Sequence, residues 1–557
     1  MRIYRPGTID IPKDLNLTEL LHRSAYPEIP ESHLIAKDSL TNRSITIGQL
    51  RDRAGKIAKG LKTKLNPVDQ ARWAIILPNS VDFLEIFHAI LWTGGVGCPI
   101  NHGLKAAEIG HGLVVSRPHF VVSYGNTIPV VKEALQLAQK ELADQGVSWD
   151  QPKIITIISR VEGFSHLPDD YISSQRLPIP HWPDTTSRLA SIHLSSGTTG
   201  SPKGVELTHY NFVSNCYQLV AHDRKIFNPN GRVVAFTPWT HIANTTLPLF
   251  LGPYAGMMHH AMPSYNLEDF AKLVGSNQAT IFQGVPSVVL QMANSDVTSR
   301  FDFSHAKYIF VGGPLKKDLK DRLFSKAPWR PMQAYGMTEA AGYVAFQKAG
   351  EEPQPDGVTG QLLPNIEACL KKEGSTEDAP EGQPGELWLR GPNLTRGYAF
   401  NEEANEKAFT MKGWYNTGDV CTIDAQGRVS IVGRTKDLIK YKGFQVSPAE
   451  LESYLNVHPN VVEGGVGALW DESQLTELPT AWVILKDKFE TAQEKRRALK
   501  EVHEAVDSQV SGYKKLRGGV WEIKALPKNA TGKILRKQMV AMRDGLCSLE
   551  DPIKAKL

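Results

Sequence analysis

Over roughly its first four hundred residues the chain alternates short β-branched runs with stretches of helical periodicity, and this restricts the fold more than any other property. Runs at 73–77, 153–158, 232–236, 279–282 and 307–311 read as buried strands. The turn Pro78, Asn79, Ser80 predicts a helix that continues to about Trp92. Thr46 and Gln49 stand at capping-box spacing, ahead of Leu50, Ala54, Ile57 and Leu61 at helical spacing. Strands alternating with helices predict an α/β architecture of layered, largely parallel sheet.

The pattern changes after Asn365. Residues 371–384 are rich in charge, Gly and Pro and read as an exposed connection. Shorter strands with turn residues between them follow at 386–390 and 428–432, which suits a β-rich subdomain. From about Lys436 the remainder reads as a separate small α+β unit. Ser447 is its expected N-cap, Pro448 the first helical residue and Glu450 the closing member of a capping box. Strands are expected at 461–469 and 480–485, with an amphipathic helix near 495–510.

At 557 residues the chain is too long for one core, and about three or four structural units are expected. The net charge of +4 gives no reason to expect nucleic acid as a partner. The five cysteines are scattered and form no Cys-x-x-Cys pair, which argues against a disulfide framework or zinc site and for a reducing interior. The N-terminus lacks the apolar segment of a signal peptide, and the stretch 83–92 is too short to span a bilayer. The C-terminus, Ala555-Lys556-Leu557, is close to the Ser-Lys-Leu address read by the peroxisomal import receptor, so peroxisomal localisation is expected, and a cytoplasmic one otherwise.

After an apolar strand-like run comes Leu-Ser-Ser-Gly-Thr-Thr-Gly-Ser-Pro-Lys-Gly at 194–204. Small residues let the main chain turn tightly, so N–H groups and hydroxyls can converge on an anion such as a polyphosphate. The segment is not a Walker A loop, because no glycine directly precedes its lysine and no Ser or Thr follows it. Its order of residues closely resembles the phosphate loop of adenylate-forming enzymes, the group of acyl-CoA synthetases, 4-coumarate–CoA ligases, beetle luciferases and adenylation domains. Further matches follow in family order: Thr-Gly-Gly-Val-Gly-Cys-Pro-Ile-Asn (93–101), Pro-Trp-Thr-His-Ile (238–242) and Gln-Ala-Tyr-Gly-Met-Thr-Glu (333–339). Then come Gly-Glu-Leu-Trp-Leu-Arg-Gly (385–391), Tyr-Asn-Thr-Gly-Asp (415–419), Gly-Arg-Thr-Lys-Asp-Leu-Ile-Lys-Tyr-Lys-Gly-Phe-Gln (433–445) and Pro-Lys-Asn-Ala-Thr-Gly-Lys (527–533).

The resemblance implies an AMP-binding domain over 1–433, a hinge over 434–440 and a mobile C-terminal domain over 441–557. It implies ATP, Mg²⁺ and coenzyme A as co-substrates, with a carboxylate attacking the α-phosphate to form acyl-AMP. Ser195, Ser196, Gly197, Thr198, Thr199, Gly200 and Lys203 would grip the β- and γ-phosphates. Thr338 would contact the α-phosphate and Glu339 would hold Mg²⁺, for which a carboxylate is a suitable hard ligand. Tyr335, beside Ala334, would stack on adenine; Asp419 would accept the ribose hydroxyls and Arg434 would add a second ribose contact. Lys533 would bridge the attacking carboxylate and the α-phosphate, a mobile charge that stabilises the transition state. Lys436 matches the hinge; rotation there would withdraw Lys533 and present Lys440, Gly443 and Gln445 to a pantetheine tunnel gated by His241.

The acyl pocket is expected among His241, Ile242, Gln283, Gly284, Val311, Gly312, Gly313, Ala334, Ala340 and Ala341. Many 4-coumarate–CoA ligases carry Gly at the place of Ala334, and the segment after His241, Ile-Ala-Asn-Thr-Thr, is polar for a long fatty chain. Both points favour a small or medium, partly polar or aromatic acid. Three other readings stand beside the acid–CoA ligase: an acyl-AMP ligase loading a carrier protein, a luciferase-type oxygenase, and an idle nucleotide-binding relative. Joint retention of Thr338, Glu339, Asp419, Arg434 and Lys533 argues against the last.

Overall fold

The computed structural model describes residues 1–195, 202–284, 286–311, 321–322, 325–326, 329–350, 357–435, 437–442, 444–472, 474–528 and 534–549. Its architecture is α/β, as the alternation predicts. The expected strands form at Arg72–Ile76, Lys153–Ile157, Arg232–Ala235, Ile281–Gly284 and Tyr308–Val311. Thr46 and Gln49 close a reciprocal capping box on the helix Ile47–Leu65, and Ser80 caps Val81–Trp92. Every residue of the latter helix is buried, so it packs on all sides and shows little amphipathic contrast.

Among the described residues one eight-stranded sheet is built mainly from strands lying between residues 72 and 208. Its middle strands run parallel, and it ends in an antiparallel hairpin of Leu189–Ser195 with Lys203–Thr208, Ser195 standing opposite Lys203. The two-residue strand Gly397–Tyr398 extends this edge, Tyr398 beside Val205.

Among the described residues the second sheet has thirteen strands, and it changes character in the middle. Arg232–Ala235, Ile281–Gly284, Tyr308–Val311 and the first half of Arg330–Met337 pair in parallel. The second half of Arg330–Met337 pairs antiparallel with Gly342–Phe346, and antiparallel pairing continues through Val358–Leu362, Arg428–Arg434, Tyr415–Ile423 and Gly385–Arg390. The β-rich region therefore starts before Asn365 and is continuous with the parallel sheet. The composition shift at 371–384 marks a turn inside it rather than its border. Lys371 itself is buried at a strand end and paired with Asp378 at 2.7 Å.

The C-terminal unit has its own apolar core, built on a three-stranded sheet and the helices Pro448–Leu455 and Ala492–Ser508. Ser447 caps the first helix, but Glu450 reaches Lys514 Nζ at 2.8 Å instead of closing a capping box. A full charge partner outcompetes a backbone N–H there. Among the described residues no helix is long and apolar enough to cross a membrane.

Candidate active site

The strand Arg330–Met337 belongs to both halves of the large sheet, and several of the expected site residues lie near where it changes partner. Up to Gln333 it runs beside Tyr308–Val311; from Ala334 it pairs with Gly342–Phe346. Gln283, Gly284 and Val311 end neighbouring parallel strands on this edge, the usual location of ligand sites in open α/β sheets. Gly336 is dictated by sterics: a Cβ there would lie 1.9 Å from the Gly342 carbonyl oxygen.

Tyr335 is buried and donates from Oη to Asp419 Oδ2 at 2.6 Å. Asp419 and Arg434 are register partners, with Arg434 Nε 3.1 Å from Asp419 Oδ1. Burial and the Asp419 carboxylate together raise the Tyr335 phenol well above its ordinary pKa, so it stays a donor. A carboxylate offers about four lone-pair directions, and Asp419 turns one oxygen to Tyr335 and the other to Arg434.

Thr338 and Glu339 begin the short 3-10 turn Thr338–Ala340, which packs against both strands of the Ser195/Lys203 hairpin. The Glu339 carbonyl accepts from Thr395 N at 2.7 Å, and Tyr398 Oη donates to Glu339 Oε1 at 3.0 Å. Tyr415 Oη lies 3.1 Å from Tyr398 Oη, and the Lys203 ammonium sits 4.8 Å from the Tyr398 ring centre. Burial raises the Glu339 carboxyl above its usual range. Among the described residues no group of three or more metal-ligating side chains occurs. One fixed carboxylate fits a magnesium ion that takes its other ligands from phosphates and water.

His241 precedes the helix Ile242–Thr245, which runs on as a π-helix over Thr246–Leu251, a local geometry found often at functional sites. His241 has solvent access, while the protein packed around it lowers its pKa. A buried relay ties this segment to the phosphate-loop strand. His193 lies 2.6 Å from Ser191 Oγ through Nδ1 and 2.8 Å from Thr245 Oγ1 through Nε2, and Thr245 Oγ1 bonds the Trp239 carbonyl at 2.7 Å.

Of the expected acyl-pocket residues, Ile242, Ala340 and Ala341 are fully packed. Asn393 holds the Ala340 carbonyl at 2.9 Å and Thr246 the Ala341 carbonyl at 2.7 Å. The missing side chain of Gly284 faces Val289 and Ile309 rather than open space. Lys440 lies opposite Gln445 on the hairpin Ile439–Tyr441/Phe444–Val446, and its ammonium rests 3.2 Å from Glu373 Oε1. Ser196, Gly197, Thr198, Thr199, Gly200, Gly312, Gly313, Lys436, Gly443, Lys533 and the tail Ala555-Lys556-Leu557 lie outside the described residues. Tyr398 and His193 were not singled out by sequence reasoning; Tyr415 fell within a quoted motif and Asn244 within the polar segment quoted after His241.

Two family models match the chain, "AMP-binding enzyme" over residues 28–399 and "AMP-binding enzyme C-terminal domain" over 450–533. A probable 4-coumarate–CoA ligase 3 of Dictyostelium discoideum is 31% identical over 536 residues, covering 92% of this chain and 95% of that protein. The fold matches the crystal structure of the anthranilate CoA ligase AuaEII in complex with anthranoyl-AMP, with TM-score 0.83 and 22% identity over 96% of this chain and 98% of that one. It also matches O-succinylbenzoate coenzyme A synthetase of Bacillus subtilis in complex with ATP and magnesium, with TM-score 0.75 and 23% identity over 94% of this chain and 98% of that one. The chain belongs to the AMP-binding enzyme family and is an enzyme of its AMP-forming acid–CoA ligases.

Proposed function

We propose that the protein activates a small or medium, or aryl, carboxylic acid with ATP and transfers it from acyl-AMP to coenzyme A as a thioester. The observation that carries this reading is the convergence of two bonded sets at one strand: Tyr335–Asp419–Arg434 and Thr338/Glu339–Tyr398–Lys203. The first offers a carboxylate and a cation to a ribose. The second offers a cation, a hydroxyl and a carboxylate to a metal-bound triphosphate.

In the adenylation step the acid's carboxylate attacks the α-phosphate and pyrophosphate leaves. Thr338 would orient the α-phosphate, Lys203 and the loop from Ser195 to Gly200 would hold the departing phosphates, and Lys533 would neutralise the charge that builds between nucleophile and phosphorus. Magnesium, held by Glu339, would supply charge neutralisation on the phosphate oxygens. For thioester formation the hinge at Lys436 would exchange Lys533 for the face carrying Lys440, Gly443 and Gln445, with His241 at the tunnel mouth. A neutral His241 suits this step, because an acyl phosphate already has a good leaving group and the thiol chiefly needs orientation. The terminal Ala555-Lys556-Leu557 would direct import into peroxisomes, and its deletion should turn a punctate fluorescent fusion diffuse.

Pyrophosphate release across short, medium, long-chain and aryl acids, with and without CoA, tests the reading beside a Lys533→Ala control. Lys533-dependent release with CoA consumed into a thioester is the expected result. Release without CoA consumption would replace CoA by a carrier-protein acceptor, and no release with any acid would overturn the ligase reading.

A further inference from the structure

A directed chain of side-chain hydrogen bonds runs along the edge where the parallel strands end. The Thr237 hydroxyl donates to Gln283 Oε1, and Gln283 Nε2 donates to Asn244 Oδ1. Both bonds point the same way, so the last member presents N–H rather than oxygen. Gln283 and Asn244 are only 5% and 6% exposed. Asn244 Nδ2 has no acceptor among the described residues, yet it is not one of the sealed, unpartnered atoms of the interior. The little surface that Asn244 keeps therefore includes its amide nitrogen. Buried amides are almost always paired, and an unpaired one whose nitrogen reaches the surface takes its acceptor from outside the chain.

The position of this donor indicates what it meets. Asn244 follows His241 by three residues, which puts both on one side of the short helix Ile242–Thr245. That helix packs against the strands Arg330–Met337 and Gly342–Phe346. Gln283, which holds Asn244, is the penultimate residue of the strand Ile281–Gly284, next to Tyr308–Val311. Ile242, Val311 and Ala334 on these same elements are apolar, and Thr237, Gln283 and Asn244 are uncharged. A neutral amide donor among uncharged neighbours suits a neutral oxygen far better than a second carboxylate, which would need a cation there.

We infer that Asn244 is a specificity-determining residue whose amide donates to a hydroxyl, keto or ether oxygen carried on the acyl body away from its carboxylate. The enzyme thereby selects oxygenated acids over hydrocarbon acids of equal size. Gln283 is a positioning residue that fixes the orientation of the Asn244 amide without touching the substrate. This inference rests on the ligase reading and extends it by naming the substrate class.

The test compares kcat/KM for pyrophosphate release on matched acid pairs, such as a hydroxyaryl acid and its methyl isostere, in the wild type, Asn244→Leu and Gln283→Leu. The wild type should favour the oxygenated member by about tenfold or more, since a site built to hydrogen-bond a group rejects the analogue lacking it. Asn244→Leu should remove that preference, chiefly by lowering kcat/KM on the oxygenated member of each pair. Gln283→Leu should weaken the preference in the same direction, and it decides the matter if Asn244→Leu does not fold. Undiminished preference in both variants, or no preference in the wild type, would overturn the role of Asn244 and leave the ligase reading standing. Failure of the wild type to adenylate any acid would overturn both.

Discussion

Asp419 and Arg434 face each other across one antiparallel strand pair and meet at 3.1 Å, while Tyr335 closes on the other carboxylate oxygen at 2.6 Å. One carboxylate thus organises a strand from each half of the large sheet and the last residue before the connection to the C-terminal unit. Asp419→Ala should weaken ATP binding by about 10- to 100-fold, the usual cost of losing a charge-assisted contact. Calorimetric titration with ATP in the absence of acid measures this directly, and unchanged affinity would remove Asp419 from the nucleotide site.

Tyr398→Phe keeps the ring beneath Lys203 but deletes the hydroxyl that orients Glu339. The expected outcome is a several-fold higher magnesium requirement for pyrophosphate release, with kcat at saturating magnesium within about threefold of the wild type, as for a lost supporting contact to a metal ligand. A titration of rate against magnesium concentration separates this from a general loss of structure, which would lower kcat at every concentration.

His241→Ala should leave pyrophosphate release largely intact and slow thioester formation by about tenfold to a hundredfold, the scale of an orienting group. The pH dependence has a defined sign. Burial lowers the His241 pKa, so the neutral ring persists below the usual value of about 6.5. The thioester step should therefore hold its rate between pH 8 and roughly pH 6.5 and fall only in more acid solution. A loss beginning near pH 7.5 would show that another group controls it.

Four further histidines set the acid limit of the fold. Burial lowers the pKa of His88 to about 4 and those of His193, His209 and His259 to about 3. The folded state keeps these rings neutral while the unfolded chain protonates them near 6.5, so unfolding takes up protons and stability falls as pH drops below that value. At pH 5 each histidine costs about 2 kcal/mol. Denaturant unfolding at pH 7, 6 and 5 should show a steep decline, and a flat profile would mean that these sites open to water before the fold is lost.

The Lys440–Glu373 pair is a surface contact with Lys440 62% exposed, so Glu373→Gln should change stability by less than about 1 kcal/mol. Thermal melts at low and high salt measure it. If Lys440 serves the CoA step, Lys440→Ala will raise the KM for CoA while leaving the melting temperature within experimental error.

Much of this was legible in the sequence because it is local. Strand runs, the Thr46/Gln49 box and the Ser447 cap are set by residues within a turn of one another, and they form where expected. Motif residues such as Tyr335, Thr338, Glu339, Asp419 and Arg434 were also identifiable, since their short spacings resemble a known family. What escaped was what depends on distant partners. Tyr398 has no local signal; it matters because a two-residue strand lays it beside Val205 and within reach of Glu339, 59 positions away. Asn244 reads as one more polar residue until Gln283, 39 positions on, takes its oxygen. Glu450 was misread for the same reason: its partner Lys514 is 64 residues away, and a cap is a weaker attraction than an ammonium.

The strand Arg330–Met337 is hydrogen-bonded in parallel on one half of its length and antiparallel on the other. The AMP-binding region therefore offers no clean seam for protein dissection. A fragment ending shortly after the Thr338–Ala340 turn would strip the antiparallel half of this strand of its neighbour, and one beginning there would lack the strand altogether. Split-protein reporters built from this enzyme should instead be cut at the connection after Arg434, where the C-terminal unit brings its own core.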